Sequence, residues 1–221
     1  MASPLALDID GTLTTPSGRI DPRVFERLPT WDAPIVVTTG KSFPYPVALC
    51  HFLGIPEYVV AENGGVIHAD GVTEVRAEPV EPTRVAQAYR ERGGHDPWGP
   101  DSTVNRWRET EVAFPMDADE SLLRELVADS EATVLDTGFA YHVTGTATQK
   151  GDGLAAVCEV LDVEPSEFVA IGDSENDVST FKIARESFAV GNADDRAQEA
   201  ADHVLDEEYA SGFLSVLDTL E

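Results

Sequence analysis

Short apolar runs alternate with helical stretches in the N-terminal part of the chain. Buried strands are predicted at residues 4–9, 34–38 and 58–61, because each is a short, continuous apolar run. Helical stretches near residues 21–28 and 46–53 connect these runs. Strands that alternate with helices in this way indicate a parallel sheet with helices on both faces.

The middle of the chain has a different texture. Residues 66–80 alternate weakly and contain turn residues, which predicts a hairpin. Helices are predicted at 83–92 and 118–129, a strand at 105–114, and two paired strands within 132–144. This order of elements predicts a small α+β unit that is inserted into the sheet-forming part.

The alternation of strands and helices returns after Lys150. Strands are predicted at residues 168–171, 188–190 and 203–205, with helices between them and a further helix at the C-terminal end. The second half of the chain therefore resumes the sheet that the first half begins.

The fold class that follows is α/β, with a Rossmann-like, doubly wound parallel sheet as the core. Residues 1–65 and 148–221 are expected to form this discontinuous core, and residues 66–147 an inserted α+β cap domain. A chain of 221 residues is long enough for one core with a small insert and too short for two full α/β domains.

Acidic residues far outnumber basic ones. The chain has 41 Asp and Glu against 15 Lys and Arg, a formal net charge of −26, and lysine only at Lys41, Lys150 and Lys182. Salt weakens the self-repulsion of such a chain, because the Debye length falls to about 3 Å at 1 M salt. The composition resembles that of proteins from salt-accumulating haloarchaea, and an acidic protein of an ordinary mesophile stays open as the alternative.

The charge and the N-terminal sequence limit the partners and the location. A nucleic-acid backbone would be repelled by a chain of this charge, so we expect no nucleic-acid partner. The N-terminus MASPLALDID lacks the basic region and long apolar run of a signal peptide, and no run of about 18 apolar residues occurs. We therefore expect a cytoplasmic protein with no membrane partner.

Two carboxylates follow the first predicted strand at alternate positions. Asp8 and Asp10 lie where the apolar run 4–9 ends, and Gly11 and Thr12 come directly after them. In open α/β sheets, ligands bind at the carboxyl ends of the strands. A D-x-D pair alone is weak evidence for a site, but its place at the end of an apolar strand makes it more specific.

A hydroxyl and a lysine are the next candidates. Thr39 and Gly40 end the second predicted strand, where a hydroxyl donor and a backbone N–H could hold a phosphoryl oxygen. Lys150 opens a helix after the insert, although helix N-termini favour acidic residues. In a chain with so few lysines, a lysine at that place indicates an anionic ligand.

A loop rich in oxygen ligands follows a later strand. The sequence Gly172-Asp173-Ser174-Glu175-Asn176-Asp177 comes directly after the apolar run 168–171. Several oxygen ligands in one loop suit a hard cation such as Mg²⁺, which is bound in proteins by carboxylates together with substrate oxygens and water. A helix cap alone would require a single Asp or Ser.

In their order and spacing, these segments resemble the haloacid dehalogenase superfamily of phosphohydrolases. The resemblance rests on the D-x-D-G-T-L opening, the T-G after the second strand, the isolated lysine and the G-D-x-x-N-D loop. The place of the insert is similar to that of the α+β cap in the Cof-type subgroup. Lys41 departs from the pattern, since arginine often follows the T-G. Lysine keeps the charge but cannot make the pair of parallel hydrogen bonds that a guanidinium makes to an anion.

The resemblance implies a Mg²⁺-dependent phosphatase with an aspartyl-phosphate intermediate. Asp8 would be the nucleophile, and Asp10 would act first as an acid and then as a base. Thr39 and Lys150 would complete the catalytic set by neutralising the phosphoryl oxygens. The implied metal ligands are Asp8, the Asp10 backbone carbonyl, Asp173 and Asp177, and the implied substrate-binding residues are Thr39, Gly40, Lys150 and Asn176.

The leading functional hypothesis is hydrolysis of a small phosphorylated acid, with phosphoglycolate first and sugar phosphates next. A phosphomutase or phosphotransferase would share the covalent intermediate but pass the phosphoryl group to a sugar hydroxyl. An inactive phosphate-binding protein is disfavoured, because none of the chemical residues is missing. A small phosphorylated metabolite is the expected partner, and both a monomer and a homodimer stay open.

Several residues outside the main motifs have two interpretations. Asn63 and Asn192 follow further strands and would either line the same cleft or serve as plain turn residues. Arg106, Arg108 and His142 lie on predicted strands of the insert and are candidates for binding a substrate carboxylate. An arginine on a strand, however, more often faces solvent.

Overall fold

The computed structural model describes residues 2–220, which fold into two sheets with helices packed on them. The strands are β1 (Leu5–Leu7), β2 (Ile35–Thr38), β3 (Val59–Ala61), β4 (Val66–Ala69), β5 (Val72–Val75), β6 (Val112–Pro115), β7 (Ala132–Asp136), β8 (Ala140–Gly145), β9 (Val169–Gly172), β10 (Glu186–Ala189) and β11 (His203–Val204). The helices are α1 (Val24–Arg27), α2 (Pro44–Leu53), α3 (Val80–Glu91), α4 (Glu120–Val127), α5 (Lys150–Leu161), α6 (Val178–Phe181), α7 (Asp195–Ala200) and α8 (Tyr209–Leu220).

The larger sheet has the strand order β11-β10-β9-β1-β2-β3-β4-β5. Pairing is parallel from β11 to β3, and β4 and β5 are antiparallel additions at one edge. The chain winds from β1 toward β3 in one direction and from β9 toward β11 in the other. The order therefore reverses next to β1, which creates the crevice where α/β sheets bind ligands.

Apolar layers cover both faces of the central strands, because neighbouring residues of a strand point to opposite faces. Leu5 and Leu7 of β1 belong to the layer beneath α1, α2 and α8, whereas Ala6 belongs to the layer beneath α5, α6 and α7. This arrangement explains why the strands read as continuous apolar runs. It confirms the predicted α/β class with a doubly wound, mainly parallel sheet.

The smaller sheet is antiparallel, with the order β6-β8-β7, and it packs against α3 and α4. We call this unit of β6, β7, β8, α3 and α4, together with the loops that join them, the cap. Its apolar core centres on Tyr89 and Phe114, whose rings meet edge to face with 5.1 Å between centroids. Tyr89 also accepts a hydrogen bond from the Asp119 backbone N–H just before α4, at 2.7 Å.

The hairpin predicted within residues 66–80 exists, but it extends the larger sheet. Val60 of β3 faces Ile67 of β4 in antiparallel register, so the hairpin lies beside the core and not in the cap sheet. Alternation within a hairpin predicts its own pairing but not the sheet edge that it joins. The residue limits proposed for the two domains stay a prediction.

Two predicted elements are shorter than expected. The strand at 105–114 was wrong in its first half, where the chain forms turns and only Val112–Pro115 is extended. Asn105 explains the difference, because its side chain bonds the Ala113 backbone N–H and carbonyl oxygen at 2.8 and 2.9 Å and holds the turns against β6. The helix predicted at 177–185 is regular only over Val178–Phe181.

Within residues 2–220, none of the helices combines the length and the apolar character that are needed to cross a bilayer.

Candidate active site

The residues after β1 and β9 meet at the carboxyl edge of the larger sheet. These two strands pair directly, with Leu7 opposite Ile171, and the Asp8 backbone N–H donates to the Ile171 carbonyl oxygen at 3.1 Å. The pairing brings Asp8 beside the loop that begins at Asp173. Segments that are far apart in sequence therefore share one site because their strands are neighbours.

Lys150 joins the two halves of this site. Its Nζ donates to Asp8 Oδ1 and to Asp177 Oδ1, each at 2.7 Å, and its side chain is fully buried. Burial opposes the lysine charge, but Asp177 and Asp8 outweigh burial and raise the pKa of Lys150. Lys150 therefore stays charged and holds both carboxylates in place.

Three carboxylates surround this single lysine. Each of Asp8, Asp173 and Asp177 offers an oxygen within 4.8 Å of the others. We call these three residues and Lys150 the core cluster. The pKa of Asp8 is raised to about 7, because burial, together with the neighbouring Asp177 and Asp10, outweighs the opposing effect of Lys150. Burial and the same crowding raise the pKa of Asp173 as well.

The core cluster fits a divalent cation such as Mg²⁺. Asp173 Oδ1 is buried and has no hydrogen-bond partner within residues 2–220. The three carboxylates also outnumber the single lysine, and a bound cation would supply the missing positive charge. Asp177 is held differently, because its Oδ2 accepts from the backbone N–H groups of Asp173 at 3.0 Å and Ser174 at 3.2 Å.

Two glycines leave the space that these carboxylates occupy. A Cβ at Gly11 would lie 1.9 Å from Asp173 Oδ2, and Gly11 also has a positive φ of 79°. A Cβ at Gly172 would lie 2.4 Å from Asp177 Cγ. The glycines of the first and last motifs are therefore required by the acidic side chains that pack on them.

Asp10 lines the same cavity as Asp8 and is partly exposed. Its carboxylate pairs with Lys41 Nζ at 2.8 Å, and that ammonium also lies 4.8 Å from the centre of the Phe139 ring of the cap. Lys41, the departure from the family pattern, thus contacts the second aspartate and the cap together. A single ammonium meets one carboxylate here without a two-pronged contact.

Thr39 is buried at the end of β2. Its backbone N–H donates to the Val60 carbonyl oxygen at 2.8 Å, so the backbone donor expected at this strand end is not that of Thr39. Its Oγ1 accepts from the Lys41 backbone N–H at 3.1 Å, which leaves the hydroxyl hydrogen to donate elsewhere. Gly40 follows directly and lines the same cavity as Asp8.

A chain of side-chain amides links the loop at residues 173–177 to the cap. Asn176 Nδ2 donates to Asn63 Oδ1 at 2.9 Å, and Asn63 Nδ2 donates to Glu111 Oε2 at 2.8 Å. Ser174 Oγ donates to Asn176 Oδ1 at 3.0 Å. Asn63 therefore belongs to the site. Asn192 instead donates to the Gly11 carbonyl oxygen and accepts from the Tyr209 backbone N–H, so it connects two loops.

The core and the cap enclose a cavity of about 270 Å³. Asp8, Asp10 and Asn176 line it from the core, and Arg108 and His142 line it from the cap. Arg106 is exposed on the cap, where its guanidinium lies 5.1 Å from the Trp107 ring centre.

Sequence reasoning missed Glu111. This glutamate is buried and bonds Arg108 and His142. It stands among other charged residues, Arg106, Arg108 and Glu109, so no feature of the sequence marked it.

Known proteins resemble this chain over almost its whole length. The family described as haloacid dehalogenase-like hydrolase matches residues 5–94 and 115–217. A phosphoglycolate phosphatase of Halorubrum lacusprofundi is 61% identical over 219 residues, which covers 98% of this chain and 96% of that protein. A phosphoglycolate phosphatase of Natronomonas pharaonis is 49% identical and covers 99% of this chain and 97% of its own.

Solved structures share the fold. The crystal structure of Thermoplasma acidophilum 0175 superposes with a TM-score of 0.86 at 24% identity and covers 100% of this chain and 98% of its own. A haloacid dehalogenase-like hydrolase from Bacteroides thetaiotaomicron gives a TM-score of 0.78 at 19% identity, with 100% of both chains covered. Because the family match spans both halves of the sheet and these relatives align almost end to end, the chain belongs to the haloacid dehalogenase-like hydrolase family.

Proposed function

We propose that the protein is a Mg²⁺-dependent phosphomonoester hydrolase that acts on phosphoglycolate through an aspartyl-phosphate on Asp8. The observation that carries the proposal is the core cluster, in which a buried carboxylate lines a cavity and is fixed by a buried lysine. The phosphoglycolate phosphatases of Halorubrum and Natronomonas, which match the chain almost end to end, support this choice of substrate.

The cation would be held by Asp8, Asp173, Asp177 and the Asp10 backbone carbonyl. When bound, Mg²⁺ supplies positive charge that offsets the repulsion between a phosphate dianion and the carboxylates. The unpartnered Asp173 oxygen and the excess of carboxylates over cations support this ligand set.

Asp8 is placed to act as the nucleophile. Lys150 holds Asp8 Oδ1, so the second oxygen of the carboxylate is the one available to phosphorus. Attack forms a bond from Asp8 oxygen to phosphorus and breaks the bond from phosphorus to the ester oxygen. Water then hydrolyses the aspartyl-phosphate and releases inorganic phosphate, which regenerates Asp8.

Asp10 is placed to move the proton. It lines the same cavity as Asp8, where its carboxyl group would protonate the leaving alkoxide and later take a proton from the attacking water. The ion pair with Lys41 fixes the carboxyl group near this position. One residue thus serves both half-reactions.

The phosphoryl oxygens would be held by Thr39, Gly40, Lys150 and Asn176. An ammonium group has three donor hydrogens, and Asp8 and Asp177 take two from Lys150, so the third remains for a phosphoryl oxygen. The Thr39 hydroxyl hydrogen is likewise not needed for its bond to the Lys41 backbone N–H. These donors would neutralise charge that moves during transfer.

A panel of phosphomonoesters tests the proposal. The purified protein, in about 2 M KCl to screen its charge, is assayed for phosphate release with and without Mg²⁺. We expect the highest kcat/KM for phosphoglycolate and loss of turnover after chelation. Absence of release from every ester would refute the hydrolase. Preferred release from a sugar phosphate, or transfer of phosphate to an added sugar phosphate, would favour a sugar phosphatase or a phosphomutase.

We further infer a cytoplasmic enzyme, as the acidic composition fits a salty cell interior. Whether it is a monomer or a homodimer stays a prediction. Light scattering on the protein in the same KCl buffer distinguishes the two states by mass.

A further inference from the structure

A cap arginine lies in the wall of the cavity that contains the nucleophile. Arg108 and Asp8 line the same cavity, and the Arg108 side chain is only 6% exposed. Its Nη1 donates to the Gly40 carbonyl oxygen at 2.8 Å, which crosses from the cap to the core. Gly40 directly follows Thr39, so the guanidinium is held beside the proposed phosphoryl site.

Part of this guanidinium is unused. Arginine has five N–H donors, and the contacts of Arg108 with Val104, Gly40 and Glu111 involve only Nε and Nη1. Within residues 2–220, Nη2 makes no hydrogen bond, and it is not one of the buried atoms without a partner. Nη2 is therefore accessible and has two hydrogens to donate.

Glu111 holds Arg108 in its position in the wall. Glu111 also accepts from His142 Nδ1 at 2.8 Å and from Asn63 at 2.8 Å, so neither of its oxygens is unpartnered. Burial opposes ionisation of Glu111, but His142 and Arg108 outweigh burial and lower the pKa of Glu111. We call Arg108, Glu111 and His142 the cap cluster. Buried Glu62 also interacts with Arg108 and Glu111, so the feature that suits an anion is the unused Nη2 of Arg108 and not an excess of positive charge.

The rest of this wall is largely apolar. Trp98, Val104 and Phe139 line the cavity together with Arg108. A charge-assisted hydrogen bond is stronger in such surroundings than in water, because few water dipoles compete with it. The position suits a small anionic group that lies a short distance from the phosphate.

We propose that Arg108 binds the carboxylate of the substrate and thereby makes the enzyme select phosphorylated acids over neutral phosphomonoesters, with Glu111 as the residue that positions it. This inference rests on the proposed phosphatase function. In phosphoglycolate, one methylene group separates the carboxylate from the ester oxygen. The contact of Arg108 with Gly40, beside Thr39, allows the guanidinium and the phosphoryl donors to hold the two ends of one small molecule.

The test compares phosphoglycolate with 2-hydroxyethyl phosphate, which replaces the carboxylate with a neutral hydroxymethyl group. The measured quantity is the ratio of the two kcat/KM values for the wild type, Arg108→Gln and Arg108→Lys. We expect Arg108→Gln to lower this ratio by about 100-fold, the effect of losing one buried charged partner. The ratio for Arg108→Lys should lie between those of the wild type and Arg108→Gln, since lysine keeps the charge but lacks the planar guanidinium that can make two parallel hydrogen bonds.

Arg106→Gln is the matched control. It removes the same charge two positions away, on an exposed side chain that stacks beside Trp107. We expect it to leave the ratio within about twofold of the wild type, because an exposed charge adds little to local binding.

The outcomes separate the two proposals. If the wild type hydrolyses neither ester, the proposed hydrolysis of phosphoglycolate fails, and with it the inference about Arg108. If the wild type hydrolyses both and Arg108→Gln lowers both kcat/KM values equally, Arg108 has only a structural role and the inference is overturned. Should Arg108→Gln not fold, an unchanged ratio in Arg108→Lys would overturn it as well.

Discussion

Asp8 of the core cluster and Arg108 of the cap cluster line the same cavity, but the two clusters offer it different groups. In the core cluster, three carboxylates share one lysine; in the cap cluster, Glu111 bonds Arg108 and His142 and leaves Arg108 Nη2 unused. An excess of carboxylates suits a cation, whereas an unused guanidinium donor suits an anion. The comparison supports the proposals that place the cation at the core cluster and the anionic end of the substrate at the cap cluster.

The largest expected effect comes from removing the nucleophile. Asp8→Asn should lower kcat by about 10⁴-fold, since an amide does not form the phosphoryl intermediate. The fold should survive, because burial and crowding already oppose ionisation of Asp8. Phosphate release and thermal unfolding measure the two effects.

Asp152→Asn is the control for this variant, because it makes the same chemical change at an exposed position of α5. Its activity should match the wild type. Turnover by Asp8→Asn at the wild-type rate would contradict the role of Asp8 and remove the distinction between the clusters.

The next effect concerns the single lysine of the core cluster. Lys150→Met leaves Asp8 and Asp177 buried without their cation, which should cost about 3–5 kcal/mol of unfolding free energy. Urea unfolding without Mg²⁺ measures the loss. Lys182→Met changes an exposed lysine and should stay within about 0.5 kcal/mol of the wild type. Equal stability of the two variants would show that Lys150 does not offset the acidic cluster.

Cation binding should follow the same balance. Mg²⁺ at about 100 times its Kd should stabilise the wild type by about 2.7 kcal/mol, as expected for a ligand that binds only the folded state. In constant KCl, this appears as a rise in Tm. Asp173→Asn should lose most of the rise, whereas Asp129→Asn, at an exposed position, should keep it. An equal rise in Asp173→Asn would place the cation elsewhere.

The smallest effect is a pH dependence where the core meets the loop leading to the cap strand β6. Buried Glu62 accepts from the Glu109 and Thr110 backbone N–H groups. Burial, followed by repulsion from Glu111, raises the pKa of Glu62 from 4.5 to about 7. A raised acid pKa stabilises the fold below about pH 4.5, and this stabilisation is lost as the pH rises through about 7.

The glutamine of Glu62→Gln does not titrate. The unfolding free energy of this variant should therefore rise relative to that of the wild type as the pH rises. Between about pH 5 and pH 8 the gain should be about 2 kcal/mol in unfolding free energy. Urea unfolding at the two pH values measures it. Glu109→Gln, an exposed neighbour, should show no such trend. A parallel pH dependence for Glu62→Gln and the wild type would contradict the raised pKa.

The core cluster was largely predictable from sequence. Parallel strands place their carboxyl ends at one edge, so Asp8 after β1 and Asp173 after β9 had to lie on the same side of the sheet. Lys150 was marked by its rarity and by its place at the start of α5. Local patterns and one topological rule are enough for such residues.

The cap cluster could not be assembled from sequence, although Arg108 and His142 were candidates. Glu111 meets His142 from 31 positions away and Asn63 from 48 positions away, and no motif marks these pairs. The sheet edge that the hairpin of β4 and β5 joins was unpredictable for a similar reason, since the pattern of the hairpin does not specify that edge. Long-range packing decides both.

The bond between Asp8 and Lys150 spans 142 positions, and the Asp177 contact extends the cluster still further along the chain. During synthesis, the first aspartate therefore leaves the ribosome long before its lysine exists. Domains fold as units, and non-local contacts form late because loop closure must precede them. Turnover can thus serve as a late marker of folding, because it begins only after β9 has docked beside β1.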